Sequence, residues 1–227
     1  MKPDKYFIAT TIAILVHGAA LAGLFGQDRE PVKGFLPYLM PLMLLLIIFT
    51  QPRINTGFII FFFASCCIGM AAEIAGVTDG SLFGEYHYGT VPGPAIQKVP
   101  LLAGINWFVI IYCCGVTVNT VLEKLMARLS ELTGKDSPSI KRISLITDAA
   151  MLAVFFDWIM EPALVKLGYK VWAGSGEAPL YNYACWLVIS AGLMAIFSFL
   201  RFEKRNRFAV HLLLVMMMYF LLVRTFL

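Results

Sequence analysis

The stretch INTGFIIFFFASCCIGMAAEIAG, residues 54–76, is predominantly apolar and carries one charged residue, Glu73. A helix needs about 20 such residues to cross the hydrocarbon core of a bilayer. We therefore predict a transmembrane helix here. The Glu73 carboxyl is expected near the end of the helix that leads into the next loop.

Six further segments have the same character, and the composition of the chain agrees with them. Hydrophobic residues make up 59% of the 227 residues and charged residues 14%, with a mean hydropathy of +0.78, which excludes an ordinary soluble protein. We predict an all-α fold, a polytopic membrane helical bundle of about seven transmembrane helices, with residues 1–227 as a single integral membrane domain. The further segments are approximately residues 6–25, 35–50, 100–122, 143–166, 182–200 and 207–226.

The basic residues predict the orientation of this bundle. Most of the 18 Lys and Arg residues lie at the amino terminus and in the loops after the second, fourth and sixth segments. Because basic residues are enriched on the cytoplasmic side, we predict a cytoplasmic amino terminus in a bacterial or archaeal plasma membrane. The net charge of +4 is small and dispersed, so we expect no nucleic-acid partner.

The metal-ligating residue types lack the spacing of a metal site. The five cysteines lie inside apolar runs without zinc-binding spacing, and the three histidines are isolated from one another. We interpret the cysteines as buried, inert thiols. We expect no metal and no cofactor.

Acidic residues inside predicted helices are the first candidates for function. Asp157 and Glu161, in FFDWIMEPAL, are four residues apart and therefore share one face of their helix. Together with Glu73 they lie toward the predicted outer half of the membrane. A buried carboxylate is costly unless it is paired, protonated or beside a wet cavity, so an intramembrane acid indicates function.

The loop after residue 76 contains FGEYHYG, residues 83–89, which is rich in polar and aromatic side chains. We predict that Gly84 and Gly89 let it fold back into the bundle as a re-entrant lid, which requires protein or a wet cavity around the backbone. The alternative is an interfacial loop whose tyrosines belong to the aromatic belt. The side chains of the lid would be Glu85, Tyr86, His87 and Tyr88.

Three parts of the chain resemble, in order, the membrane carotenoid 1,2-hydratase family. They are EIAGVTDGSLFGEYHYG with the later GP, KVPL and INWF, then DWIMEP, and then PLYNYACW. The resemblance covers about residues 73–186. Glu161 stands where that family's pattern has Asp, and the loop YKVWAGSGEAP has less Trp and Gly than expected.

The resemblance implies addition of water to the terminal C1=C2 double bond of an acyclic carotenoid end group. Such an alkene is protonated at its less substituted carbon, and water captures the tertiary carbocation. A carboxyl buried beside a second carboxyl keeps its proton, because desolvation and like charge disfavour ionisation. We expect Asp157 or Glu161 to be the proton donor, which leaves the choice between them open.

The remaining candidates would surround the cation and the water. Aromatic faces stabilise a cation, and a positioned polar group orients water. We assign cation stabilisation to Tyr86, Tyr88, Trp107 and Trp186, water orientation to His87 and Asn182, and the rest of the hydrogen-bond network to Glu73 and Glu85.

Two other functions fit the same residues. A carotenoid end-group cyclase or isomerase would quench the same carbocation with an internal double bond, and a proton-coupled membrane transporter would use the acids to carry protons. The hydratase interpretation implies a hydrophobic carotenoid substrate taken from the bilayer, with membrane lipid around the protein. It is compatible with a homo-oligomer or with association with other carotenoid enzymes.

Overall fold

The structure, a computed structural model, describes residues 4–27, 29–133 and 137–227, and within these ranges seven helical spans are long and apolar enough to cross a membrane. The predicted all-α membrane bundle is therefore confirmed. The helices are α1 (Lys5–Leu24), α2 (Glu30–Phe35), α3 (Leu39–Thr50), α4 (Thr56–Asp79), α5 (Leu102–Thr133), α6 (Pro138–Lys166), α7 (Leu180–Phe199) and α8 (Arg207–Phe226). The strands are β1 (Tyr86–Tyr88), β2 (Ala95–Ile96), β3 (Val99–Pro100) and β4 (Lys170–Trp172).

The second span consists of α2, a 3-10 turn at Leu36–Tyr38, and α3. Pro37 has no backbone N–H, so it cannot close an α-helical hydrogen bond to the carbonyl of Lys33. The Tyr169 hydroxyl donates to that carbonyl instead. Because the helix is interrupted, the apolar run detected near residue 35 is only the second part of a span that begins at Glu30.

Pro162 lies inside α6 and has a similar partner. The helix continues past it to Lys166, although Pro162 leaves the Trp158 carbonyl without a helical donor. Arg224 of α8 donates to that carbonyl over 2.8 Å, and its guanidinium lies 4.1 Å from the centre of the Trp158 ring. The last turn of α6 is thereby tied to the end of α8.

Helix α5 is the central helix of the bundle. Its residues from Trp107 to Cys114 are all buried, whichever face of the helix they occupy, as expected for a helix surrounded by other helices. The helices α4, α6 and α8 end, and α5 and α7 begin, at the end of the bundle that carries all four strands. We refer to this end as the strand end.

Strand β1 closes the strand end by pairing antiparallel with β4. Tyr86 lies opposite Trp172, and Tyr88 lies opposite Lys170. Because side chains alternate across a strand, these residues face the bundle and His87 faces outward. Of the residues predicted to form the lid, Tyr86 and Tyr88 therefore point into the bundle, whereas His87 does not.

Gly89 lies at the end of this pairing. Its N–H donates to the Tyr169 carbonyl over 3.0 Å, and a Cβ at this position would stand 2.0 Å from the Gly168 carbonyl oxygen. That contact involves backbone, which a rotamer change cannot relieve.

We expect Gly89→Ala to separate β1 from β4 and to lower the free energy of unfolding by about 1–3 kcal/mol. Thermal unfolding of the purified protein in detergent measures this loss. Gly192→Ala is the matched control, since a Cβ at Gly192 meets no atom within 4 Å. Equal stability of the two variants would contradict the close approach.

Candidate active site

Glu73 accepts three hydrogen bonds near the strand end of α4. The donors are the Tyr86 hydroxyl at 2.5 Å and the Tyr88 hydroxyl at 2.7 Å, both to Oε2, and the Trp107 Nε1 at 2.9 Å, to Oε1. Burial and the Glu73 carboxylate raise the pKa of both tyrosines, so the phenols remain protonated donors. Three hydrogen-bond donors around one carboxyl group favour its ionised form.

Lys170 of β4 lies between two buried carboxyls. Its Nζ is 3.3 Å from Glu161 Oε2 and 4.0 Å from Glu73 Oε2, and it lies 4.3 Å from the centre of the Tyr86 ring. Burial alone would lower the pKa of this ammonium, but the carboxyl groups of Glu161 and Glu73 outweigh burial and raise it. Lys170 is therefore a charged lysine in the interior.

Glu161 has a second donor, the Nε1 of Trp172, at 2.7 Å from its Oε1. Trp172 and Lys170 both belong to β4 and point to the same side, because they are two residues apart in a strand. One short strand therefore supplies both partners of Glu161.

Asp157 is placed differently. Its Oδ2 accepts from Asn182 Nδ2 over 2.8 Å. Asp157 Oδ1, Asn182 Oδ1 and Trp186 Nε1 are buried and have no hydrogen-bond partner among the described residues. Unpaired buried polar atoms are costly, so their presence together in α6 and α7 indicates a place where a polar or reacting group is received.

Two tryptophans stack beside these acids. The rings of Trp107 and Trp186 are 3.9 Å apart at an angle of 13°. Gly69 of α4 makes room for this pair, since a Cβ there would stand 2.3 Å from Trp107 Cγ. The close approach of α4 to α5 lets the Nε1 of Trp107 donate to Glu73. The ring of Trp186 stacks on the ring of Trp107.

An apolar cavity of about 110 Å³ reaches this cluster. Its wall includes Glu73, Tyr88, Lys170 and Trp186, and most of its other lining residues are aliphatic. Helices α4, α5, α6 and α7 all contribute to this wall, and α1, α3 and α8 contribute as well.

Asp157 and Glu161 are not themselves on the cavity wall. Met160 and Trp186, which are on it, lie three residues after Asp157 and four residues after Asn182. Residues at these spacings share a helix face. The cavity therefore ends beside the Asp157–Asn182 pair.

The sequence-based candidates fall into two groups. The structure brings eight of them together, whereas Glu85 and His87 are exposed and lie away from the buried carboxyls because of the strand alternation described above. The eight are Glu73, Tyr86, Tyr88, Trp107, Asp157, Glu161, Asn182 and Trp186. Among the described residues, no group of three or more His, Cys, Asp or Glu side chains is placed to hold a metal ion.

Lys170 and Trp172 were missed by the sequence analysis. Lysines are common in the loops of membrane proteins, so nothing about Lys170 alone was a reason to assign it to the site. The available signal was the alternation in YKVW, in which Lys170 and Trp172 share one face of a short extended segment.

We expect Tyr86→Phe to weaken the site without unfolding the protein, because it removes one of the donors to Glu73 and leaves the ring in place. Turnover should fall by about tenfold, the effect of roughly one charge-assisted hydrogen bond. Tyr38→Phe, at an exposed tyrosine, is the matched control. Unchanged turnover in Tyr86→Phe would show that the Tyr86 hydroxyl has no role in the reaction.

The chain matches a known protein family. The model of a family described as carotenoid biosynthesis protein matches residues 34–227. No curated protein and no solved structure matches the chain.

Proposed function

The chain belongs to the carotenoid biosynthesis protein family, and from that premise we propose that it adds water to the terminal C1=C2 double bond of an acyclic carotenoid. A role in carotenoid biosynthesis follows from the family; the hydration step is our inference. The observation that carries it is the group of three buried carboxyls, Glu73, Asp157 and Glu161, beside an apolar cavity.

The charge of this group favours one proton donor. Lys170 is the only Lys or Arg that is buried among the described residues. Glu73 accepts three hydrogen bonds and Glu161 accepts two, and both carboxyls lie near Lys170. These contacts favour ionised carboxylates. Asp157 has one donor and two negatively charged neighbours, so its neutral form is favoured, and we assign it the role of acid.

The reaction then needs two steps. The Asp157 carboxyl transfers its proton to the less substituted alkene carbon, which leaves a tertiary carbocation and the Asp157 carboxylate. The oxygen of a water molecule forms a bond to the cationic carbon, and the excess proton on that oxygen passes to the Asp157 carboxylate. The product is a tertiary alcohol, and the acid is regenerated.

Other side chains would hold the reactants in place. Trp186 and Tyr88 lie on the cavity wall and present aromatic faces that stabilise a cation. Asn182 Oδ1, which has no partner among the described residues, would accept a hydrogen bond from the attacking water. Asn182 thus orients the water beside the acid with which it is already paired.

The surroundings of the site suit a substrate that reaches it from the bilayer. Most of the cavity wall is aliphatic, and seven helical spans of the described chain can cross a membrane. We place the strand end at the outer face, with a cytoplasmic amino terminus, because the opposite end carries most of the basic residues.

The test is expression of the chain in cells that accumulate lycopene, followed by mass spectrometry of the pigments. We expect a product heavier than lycopene by one or two molecules of water, according to whether one or both ends react. A cyclic product of unchanged mass would favour a cyclase or isomerase. Unchanged pigments in cells that contain the inserted protein would contradict hydration and leave the transporter interpretation.

A further inference from the structure

A second hollow adjoins the cavity. It is a groove of about 340 Å³ between α1 and α8. Its flanking residues Ile14, Leu214 and Met218 are more than half exposed on the surface of the bundle, which faces lipid in a membrane. Apart from His17 and Tyr219, its lining is Ile14, Gly18, Leu21, Leu214, Val215, Met218 and Leu222.

His17 and Tyr219 line both the groove and the cavity. Their rings meet edge to face, with centres 5.2 Å apart at an angle of 76°. These two side chains are therefore a partition one ring thick between the lipid-facing surface and the cavity.

The hydrogen bonding of the partition is incomplete. His17 Nδ1 is 2.8 Å from the Ala13 carbonyl oxygen, which can only accept, so Nδ1 carries the proton and donates it. The Tyr219 hydroxyl is buried and has no hydrogen-bond partner among the described residues. Movement of the Tyr219 ring would therefore break no hydrogen bond of its hydroxyl, whereas His17 is held to its own helix.

The size of the cavity shows why a second space is needed. Pockets that enclose a drug-sized ligand have volumes of about 300–1,000 Å³, and the cavity has about 110 Å³. It can hold the end group of a long polyene but not its body. The body must therefore extend beyond the cavity, and the groove adjoins the cavity at the partition.

We propose that the groove between α1 and α8 is the port through which a long linear polyene reaches the site from the membrane. The end group passes the His17–Tyr219 partition into the cavity, and the polyene body remains in the groove. This inference rests on the proposed function for the identity of the substrate.

Gly18 offers a direct test, because it lines the groove and a Cβ there would meet no atom within 4 Å. Gly18→Phe would fill the groove without displacing the bundle. Gly192→Phe on α7 is the matched control, since a Cβ at Gly192 also meets no atom within 4 Å and Gly192 lies outside both hollows. Both changes are made in the full chain with Asp157→Asn, so that bound substrate is not consumed.

The measurement is the binding of purified protein in detergent to lycopene, followed through quenching of tryptophan emission by the polyene. We expect Gly18→Phe to raise Kd by on the order of tenfold or more relative to Gly192→Phe. A short alkene that carries only the end group should compete equally in both proteins. If Gly18→Phe does not fold, the smaller Gly18→Leu takes its place, and thermal unfolding shows which variant to use.

Equal lycopene affinity in the two variants would contradict the proposal that the groove is the entry route. So would a change only in the lipid that copurifies with Gly18→Phe, since the groove would then hold an acyl chain. Binding does not depend on hydration, so the two proposals fail separately. A wild-type chain that binds lycopene through the groove but adds no water would contradict the proposed function and leave the port intact.

Discussion

Asp157→Asn is expected to lower carotenoid hydration by about 100-fold to 10,000-fold, the range for loss of a general acid. The amide keeps the shape of the side chain, and its oxygen can still accept from Asn182 Nδ2, as Asp157 Oδ2 does over 2.8 Å. It cannot give a proton to carbon. Purified protein supplied with lycopene in mixed micelles, with the product quantified by chromatography, measures the loss.

Two further variants make this result specific. Asp148→Asn alters an exposed carboxyl of the same helix α6 and should retain normal turnover. Glu161→Gln keeps an acceptor for Trp172 but removes the charge opposite Lys170, so we expect a smaller loss than for Asp157→Asn. Normal turnover in Asp157→Asn, or a larger loss in Glu161→Gln, would show that Asp157 is not the proton donor.

Lys170→Met is expected to cause the largest loss of stability, about 3–5 kcal/mol, because it leaves buried carboxylates without a cation. The ammonium lies 3.3 Å from Glu161 and 4.0 Å from Glu73. Unfolding by denaturant in detergent measures the difference in free energy. Lys124→Met, at an exposed lysine on α5, is the control for loss of a positive charge.

A second change separates the lost charge from the lost packing. Glu161→Gln added to Lys170→Met removes one of the uncompensated carboxylates, so the double variant should recover part of the stability. If the double variant is less stable than Lys170→Met alone, the role of Lys170 is not the neutralisation of Glu161.

The transmembrane helices could be predicted from the sequence because a long apolar run has few folds available to it in a membrane. Helix ends were less predictable. The apolar part of α5 stops near residue 122, but the helix continues to Thr133, since residues with good helix propensity extend it beyond the bilayer. The second span was also longer than its apolar run, because Pro37 breaks it into parts.

Within the site, the acids could be predicted and their partners only in part. A carboxyl in an apolar helix stands out from its neighbours, which is why Asp157 and Glu161 were recognised. Lys170 could not be assigned a partner, because its position depends on the pairing of β1 with β4. The same pairing determines which side chains of FGEYHYG face inward, and a strand register is tertiary information.

The most direct test of the account is conversion of lycopene by the purified chain in deuterated water that carries a heavy oxygen isotope. Protonation of carbon followed by water capture predicts, for each end group that reacts, one deuterium at the less substituted carbon and one heavy oxygen in the tertiary hydroxyl. Mass spectrometry of the product detects both labels. A product without the heavy oxygen, or with the oxygen but no deuterium on carbon, would contradict hydration through a carbocation.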